Sequence, residues 1–521
     1  MHSPKSIFVN FSGVWIVILL SLLNIYGCKT DTRESGDSFM EFPDTSEFQD
    51  PLYPAPDWLR DAVIVEIPIR AFNHPDYKNP QNWENKCGNA SYLSIMEKLD
   101  FLKEMGVNVL CLYTIYYHTP GTNLYALRHH EADPTLGSID DIKMLIEIAH
   151  RKGFKVISNT NHYGVAQSSP MIEEHPDWFI DKEFDLFGQR VFDLNNPEVI
   201  QYIINTHVWW CTEIGLDGWR IDVAGRTYRK YIWDPILEKC ASEGKRILLA
   251  TENTHLESHI RGAGWRTFQV SLDMVDPMAN WEPGESRYVL KDYKNSTAGD
   301  PYGLKDISSH NSMVPCPYNY NQDTCSREGA YQIQGSRFLF GHNLLFAPFV
   351  PWMMVGDLFN ATHLGVPCVL PHRLKGKLLH SYIDWDDLEE QEDVINDFKK
   401  ISFIRQEHTD IFHNNRYETH LLNIPYSSDP MIPVKPYARF IPGEKAAIIA
   451  GNNDTEKDIT FRLKIPLEDL GFGTHTALKF TDLWSGMEKT VNAEEVKDVE
   501  IIVPRDKSAG GGVRVLLLTK E

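Results

Sequence analysis

Apolar runs of strand length alternate with amphipathic stretches of helix length from Ala62 to about Ile404. The helical pattern is clear over Tyr92–Glu104, Ile139–Arg151, Pro197–Glu213 and Asp393–Gln406. Strand, helix, strand in repeated succession predicts a parallel sheet with helical crossovers. Closing that sheet on itself gives a (β/α)8 barrel, a TIM barrel, over residues 58–414. A polar excursion over 163–193, containing His175-Pro-Asp-Trp178, breaks the alternation after the third strand and predicts a short inserted loop domain. From about Asn415 the period changes to that of strands, as in Lys445–Ala450, Ile459–Leu463 and Gly512–Leu518. This predicts a C-terminal all-β sandwich over 415–521.

The N-terminus has a different pattern. Lys5 precedes an apolar run from Val14 to Leu23, too short to span a bilayer but of the length of a secretory core. The run ends at Ile25-Tyr-Gly-Cys28, which looks like a bacterial lipobox with Cys28 as the lipidated residue; Tyr26 stands where a small residue is usual. Residues 1–27 thus read as a lipoprotein signal peptide and 28–57 as a polar tether. The expected location is outside the cytoplasm, on a bacterial membrane, held by the lipid alone.

Charge narrows the partners. With 51 basic and 72 acidic side chains the formal net charge is −21, which opposes nucleic acid and anionic lipid and leaves neutral sugars unaffected. Aromatic residues make up 12% of the chain, enough for sugar stacking, although most rings will be core. Among the 8 cysteines there is no CxxC or Cys/His cluster for zinc. Cys111 and Cys211 read as small buried hydrophobes, and Cys316 and Cys325 are placed where an exported protein permits a disulfide.

The chemistry concentrates in two segments, Gly215-Leu-Asp-Gly-Trp-Arg-Ile-Asp222 and Leu248-Leu-Ala-Thr-Glu252-Asn253. Each reads as a buried strand ending in a carboxylate. Two strand-terminal acids are what acetal cleavage requires: one carboxylate at the anomeric carbon and one carboxyl that protonates the leaving oxygen. Arg220, two residues before Asp222, leaves the strand on the same face and would hold that carboxylate ionised and oriented. The plainer alternative is that these acids cap the helices that follow.

Further segments resemble glycoside hydrolase family 13, the α-amylase family, in that family's order. Asp61–Phe72 and Gly106–Tyr113 resemble its first two barrel strands, followed by Leu124-Tyr125, Asp133–Gly137, Ile148–Ile157, Asp193–Val199 and Val350–Asp357. The resemblance implies that Asp222 is the nucleophile and Glu252 the general acid and base. It implies that Tyr125 stacks under the reacting sugar, that His162 bonds it, and that Asp193 and Asn195 line the wall. An α-glucan or related oligosaccharide is the implied substrate.

Several positions depart from the family's pattern. The third strand lacks the Asp that usually precedes Asn161-His162, with Asn159 nearest. Its seventh strand ends in His310-Asn311, so Asn311 stands where a carboxylate would oppose an oxocarbenium ion. His129 and His130 fall where relatives often have Asp-Tyr. Asn161 is one conceivable calcium ligand, but the short insert has no obvious carboxylate cluster, so no metal or other cofactor is expected. Two functions stay open: an exported retaining α-glycosidase or transglycosylase, and an impaired descendant that binds glucan or protein through the same cleft.

Overall fold

The computed structural model of the protein describes residues 56–72, 91–118, 125–184, 189–222, 231–251, 270–271, 314–315, 336–346, 350–359, 363–365, 381–383, 385–414, 420–429, 436–452, 454–473 and 477–521. Eight parallel strands form one sheet: β1 (Ile64–Pro68), β2 (Val109–Tyr113), β3 (Lys155–Thr160), β4 (Gly218–Ile221), β5 (Leu248–Thr251), β6 (Val270–Ser271), β7 (Val314–Pro315) and β8 (Trp352–Met354). From β1 to β7 neighbours in sequence pair with one another, and β8 returns to pair with β1 through Ile64 opposite Trp352. That return is the topology of a (β/α)8 barrel.

The period of two along each strand divides the apolar side chains into two cores. Ile64, Val109, Cys111, Ile157, Leu248, Ala250 and Trp352 cluster inside the barrel. The alternate positions Val65, Leu110, Val156, Trp219, Leu249 and Met353 join the larger core beneath the helices. Every described position of β1 and β2 is buried, as strands covered on both faces require. Gly218 starts β4 because nothing larger fits: a Cβ there would lie 2.2 Å from the Leu248 carbonyl oxygen of β5.

Helix α1 (Ile139–Arg151) has the predicted bounds. Ser138 caps it reciprocally with Asp141, and Ile142, Leu145, Ile146 and Ala149 form its buried stripe. Helix α2 (Pro197–Trp209) starts at an Asn196 cap followed by proline, then widens into a π-turn over Trp210–Ile214. There the Trp210 indole donates to the His129 carbonyl at 2.7 Å. Helix α3 spans Trp233–Ser242 and α4 Glu392–Glu407. The stretch predicted as one helix from Tyr92 is instead a 3-10 turn, Leu93–Lys98, followed by an α-helical turn, Leu99–Glu104. Local bonds explain its tight start: Ser94 Oγ donates to the Ser91 carbonyl at 2.8 Å and accepts from the Ser91 amide.

After β3 the chain forms an antiparallel three-stranded sheet from Gly164–Ala166, Phe179–Phe184 and Gln189–Phe192. Beyond His420 the described strands pair antiparallel in a six-stranded and a three-stranded sheet. Ile448 and Leu516 of one and Phe461 and Val503 of the other share a core, which makes the two sheets a sandwich. The sandwich is bonded to the barrel helices. The Gly510 amide donates to Asp397 Oδ2 at 2.8 Å, and the Phe338 amide donates to Asp506 at 2.6 Å. Among the described residues no helix is long and apolar enough to cross a membrane.

Candidate active site

The C-terminal ends of β3 and β4 meet around Asp222. Its backbone amide donates to the Thr160 carbonyl at 2.9 Å, which extends the β3–β4 pairing one residue past the strand. Inward-facing positions of β3 and β4 then stand side by side, with Asn159 opposite Arg220 in the register. The Arg220 side chain is 1% exposed and uses one nitrogen for two acceptors. Nη1 donates to Asp222 Oδ1 at 2.5 Å and to Asn159 Oδ1 at 2.8 Å. The Asp222 side chain is 16% exposed, so a charge-paired carboxylate is presented at the mouth while its partner is sealed below.

The second carboxylate oxygen is also held. Asn161 Nδ2 donates to Asp222 Oδ2 at 3.0 Å, and Asn161 Oδ1 accepts from Gln189 Nε2 at 2.8 Å. The Asn161 carbonyl accepts from His129 Nε2 at 2.9 Å. The Asn161 oxygen considered as a calcium ligand therefore faces an amide donor. Among the described residues no group of three or more His, Cys, Asp or Glu is placed to hold a metal ion.

His162 is fully buried, its ring edge-on to Trp233 at 4.9 Å and near His207. Burial, helped by His207 and His129, holds its imidazole well below the ordinary range. Tyr125 is 6% exposed and packs with Leu127, Ala166 and Tyr117. Asp193 Oδ1 accepts from the amide and side chain of Asn195, forming the turn that leads into the Asn196 cap of α2. Glu252, His310, Asn311 and Cys28, along with Cys316 and Cys325, lie outside the described residues.

Three groups near the mouth escaped the sequence reading. Arg70, just past β1, pairs with Asp133 and donates through Nε to His118 Nε2 at 2.8 Å. His118 Nδ1 donates to the Tyr116 carbonyl at 2.7 Å, so the ring must be neutral to accept from Arg70. Burial and the Arg70 charge lower its pKa, against the opposing pull of Asp133. Gln189, in the insert, carried no motif at all. Asp357, after β8, is 4% exposed; burial raises its carboxyl well above the usual range, and the nearby Glu66 adds to that. Asp357 Oδ2 accepts from the Met354 amide at 3.0 Å, so from within the 3-10 turn Val355–Phe359 it ties down the residue that precedes the turn.

The family model described as Alpha amylase, catalytic domain, matches residues 80–185. The chain is 23% identical over 399 residues to a cyclomaltodextrinase of Thermoanaerobacter pseudethanolicus, covering 68% of this chain and 66% of that one. By these matches the chain is similar to glycoside hydrolase family 13, the α-amylase family. An intracellular maltogenic amylase of Bacillus subtilis is 25% identical over 282 residues, 48% of this chain and 47% of the relative. The matches thus span less than two thirds of either relative's length. Among solved structures, an α-amylase from Geobacillus thermoleovorans complexed with acarbose superposes with a TM-score of 0.64 at 18% identity. That match covers 89% of this chain and 99% of the other. It shows the fold: the barrel carries Arg220, Asp222 and Asn161 together at the ends of β3 and β4.

Proposed function

We propose that the protein is a retaining α-glycosidase or transglycosylase acting on starch-like oligosaccharides. The observation that carries this reading is the orientation of Asp222, each of whose carboxylate oxygens receives a bond from a buried donor while the group stays open to the mouth. In this reading Asp222 attacks the anomeric carbon as Glu252 passes its proton to the departing oxygen, leaving a glycosyl ester. Glu252 then takes a proton from water, or from an acceptor hydroxyl, as that oxygen displaces Asp222. Two inversions retain the anomer. The relatives named cyclomaltodextrinase and maltogenic amylase support an α-glucan as substrate.

Purified protein incubated with α-glucans and activated α-glucosides, with products followed by chromatography, tests the reading. Turnover is expected in the wild type. Asp222→Asn should lower it by about 10³-fold or more, because an amide is a far poorer nucleophile. Maltooligosaccharide binding that is unaffected by Asp222→Asn, without turnover by either protein, would install the binding-module reading instead. Asn159, a neutral partner for Arg220, is the observation that favours that second reading.

Export and lipid anchoring remain a proposal resting on the Ile25–Cys28 motif. Labelling with a radioactive fatty acid should tag the wild type and not Cys28→Ser; equal label on both would remove Cys28 as the anchor.

A further inference from the structure

We propose that Gln189 is a positioning residue for Asp222, acting through the side-chain amide of Asn161; this rests on the reading of Asp222 as the nucleophile. The relay is continuous and buried: Gln189 is 0% exposed and Asn161 4% exposed, with steps of 2.8 and 3.0 Å from Gln189 to Asn161 to Asp222. Its direction follows from charge. Ionised Asp222 can only accept hydrogen bonds, so Asn161 must turn its NH2 toward it and its oxygen away. Rotation of that amide by half a turn would set oxygen against carboxylate. The Gln189 NH2 opposes this rotation by binding the Asn161 oxygen on the far side, and His129 holds the Asn161 backbone from below.

The consequence at Asp222 is geometric. Arg220 takes Oδ1 and Asn161 takes Oδ2, so the plane of the carboxylate is set by two donors on different strands. Among the described residues, the side chains bonded to it are Arg220 of β4 and Asn161, one residue past β3, while the neutral Asn159 of β3 bonds Arg220. Glu252, after β5, lies outside the described residues. Gln189 itself is held by the insert, where its strand pairs with Gly164–Ala166 and Ala166 stands opposite Gln189. That pairing is close, since a Cβ on Gly164 would lie 2.3 Å from the Arg190 carbonyl oxygen. The inserted sheet thereby gains a function that its polar sequence did not suggest: it supplies the last donor of the relay.

Gln189→Met keeps the length of the side chain and removes the donor. It should lower kcat by about 10–100-fold with KM little changed, the usual size of a positioning loss at one remove from the reacting group. Gln189→Glu is the diagnostic variant. While protonated, the introduced carboxyl still donates to Asn161; once ionised it cannot, and it draws the Asn161 NH2 away from Asp222. Its rate should therefore fall with rising pH along a limb of its own, additional to the one that ionisation of the general acid gives the wild type. A readout independent of turnover is hydrogen exchange of the Asn161 side-chain amide, observed by selective ¹⁵N-asparagine labelling and assigned with Asn161→Ser. Slow exchange in the wild type supports the relay, and faster exchange is expected in Gln189→Met. The proposal is overturned by wild-type exchange as fast as that of an exposed amide, by an unchanged kcat in Gln189→Met, or by a wild-type pH profile in Gln189→Glu. Slow exchange in a wild type that turns over no glycoside would refute the enzymatic reading and leave the relay standing.

Discussion

Arg220 Nη1 serves two acceptors on different strands, and that sharing makes the residue both structural and electrostatic. A lysine at this position keeps the charge but concentrates it at one point, and cannot reproduce the fixed planar geometry. Arg220→Lys is expected to stay folded and to lose about 10²-fold in kcat, the size of one lost preorganised interaction. Arg220→Met leaves the Asp222 charge without its cation next to a buried surface, and should destabilise the fold by about 3 kcal/mol or more. Kinetics on the first variant and urea melts of both would check this. Equal stability of the two variants would mean that the guanidinium does not hold β3 and β4 together.

At the scale of elements, the junction of β4 and β5 leaves no room for a side chain at Gly218. Gly218→Ala forces a Cβ toward the Leu248 carbonyl oxygen at 2.2 Å, and neither backbone can retreat without losing the pairing. The expected cost is about 4 kcal/mol or more, in the range reserved for strain that has no escape. Gly244→Ala is the comparison: its φ is +77° but nothing lies within 4 Å of the new carbon, so about 1 kcal/mol is expected. Urea midpoints of the two proteins should separate clearly.

The same elements show what was readable from sequence. Helix α1 was legible to the residue, because a Ser–Asp capping pair and a regular apolar stripe agree on its bounds. The Leu93–Lys98 turn was not, since apolar spacing does not distinguish i+3 from i+4 bonding when two serines bond each other locally. Arg220 and Asp222 could be paired from their spacing of two on a strand. Gln189 could not, because its contact with Asn161 spans 28 positions and arises only when the insert folds back on β3. Asn161, not the adjacent His162, bonds Asp222, an outcome set by which neighbour faces Trp233.

For the whole molecule, buried neutral imidazoles dominate the response to acid. Burial pushes His129 down to about 4 and His207 down to about 3, and lowers His118 and His162 as well. Between the ordinary value of 6.5 and these lower ones the unfolded chain binds protons that the folded chain refuses. Stability is therefore full above pH 6.5 and falls as the pH drops toward 4. Asp506, pushed up to about 6 by burial, and Asp357 act in the opposite sense, but two acids do not offset these imidazoles together with His130, His408 and His413, which are lowered in the same way. Thermal melts at about pH 7.5 and 5 should show a loss of a few kcal/mol at the lower pH. His207→Gln should flatten the dependence by about 1.4 kcal/mol per pH unit in that window. A melting temperature that rises on acidification would contradict this assignment.

The inner face of the barrel holds one more consequence, and it concerns time. Cys111 is fully buried among Ile64, Ile157 and Leu248, and burial raises its thiol well above the ordinary range, with Glu66 adding to the effect. A reagent cannot reach that sulfur while β2 is paired on both sides with β1 and β3. Modification of Cys111, followed peptide by peptide in a mass spectrometer, is therefore a clock for the opening of the barrel. When opening and closing are fast, the labelling rate measures how often the strands part; when the reagent outruns closure, it measures how soon they do. The residue that has no part in the proposed chemistry thus becomes the native reporter of how long the barrel stays shut.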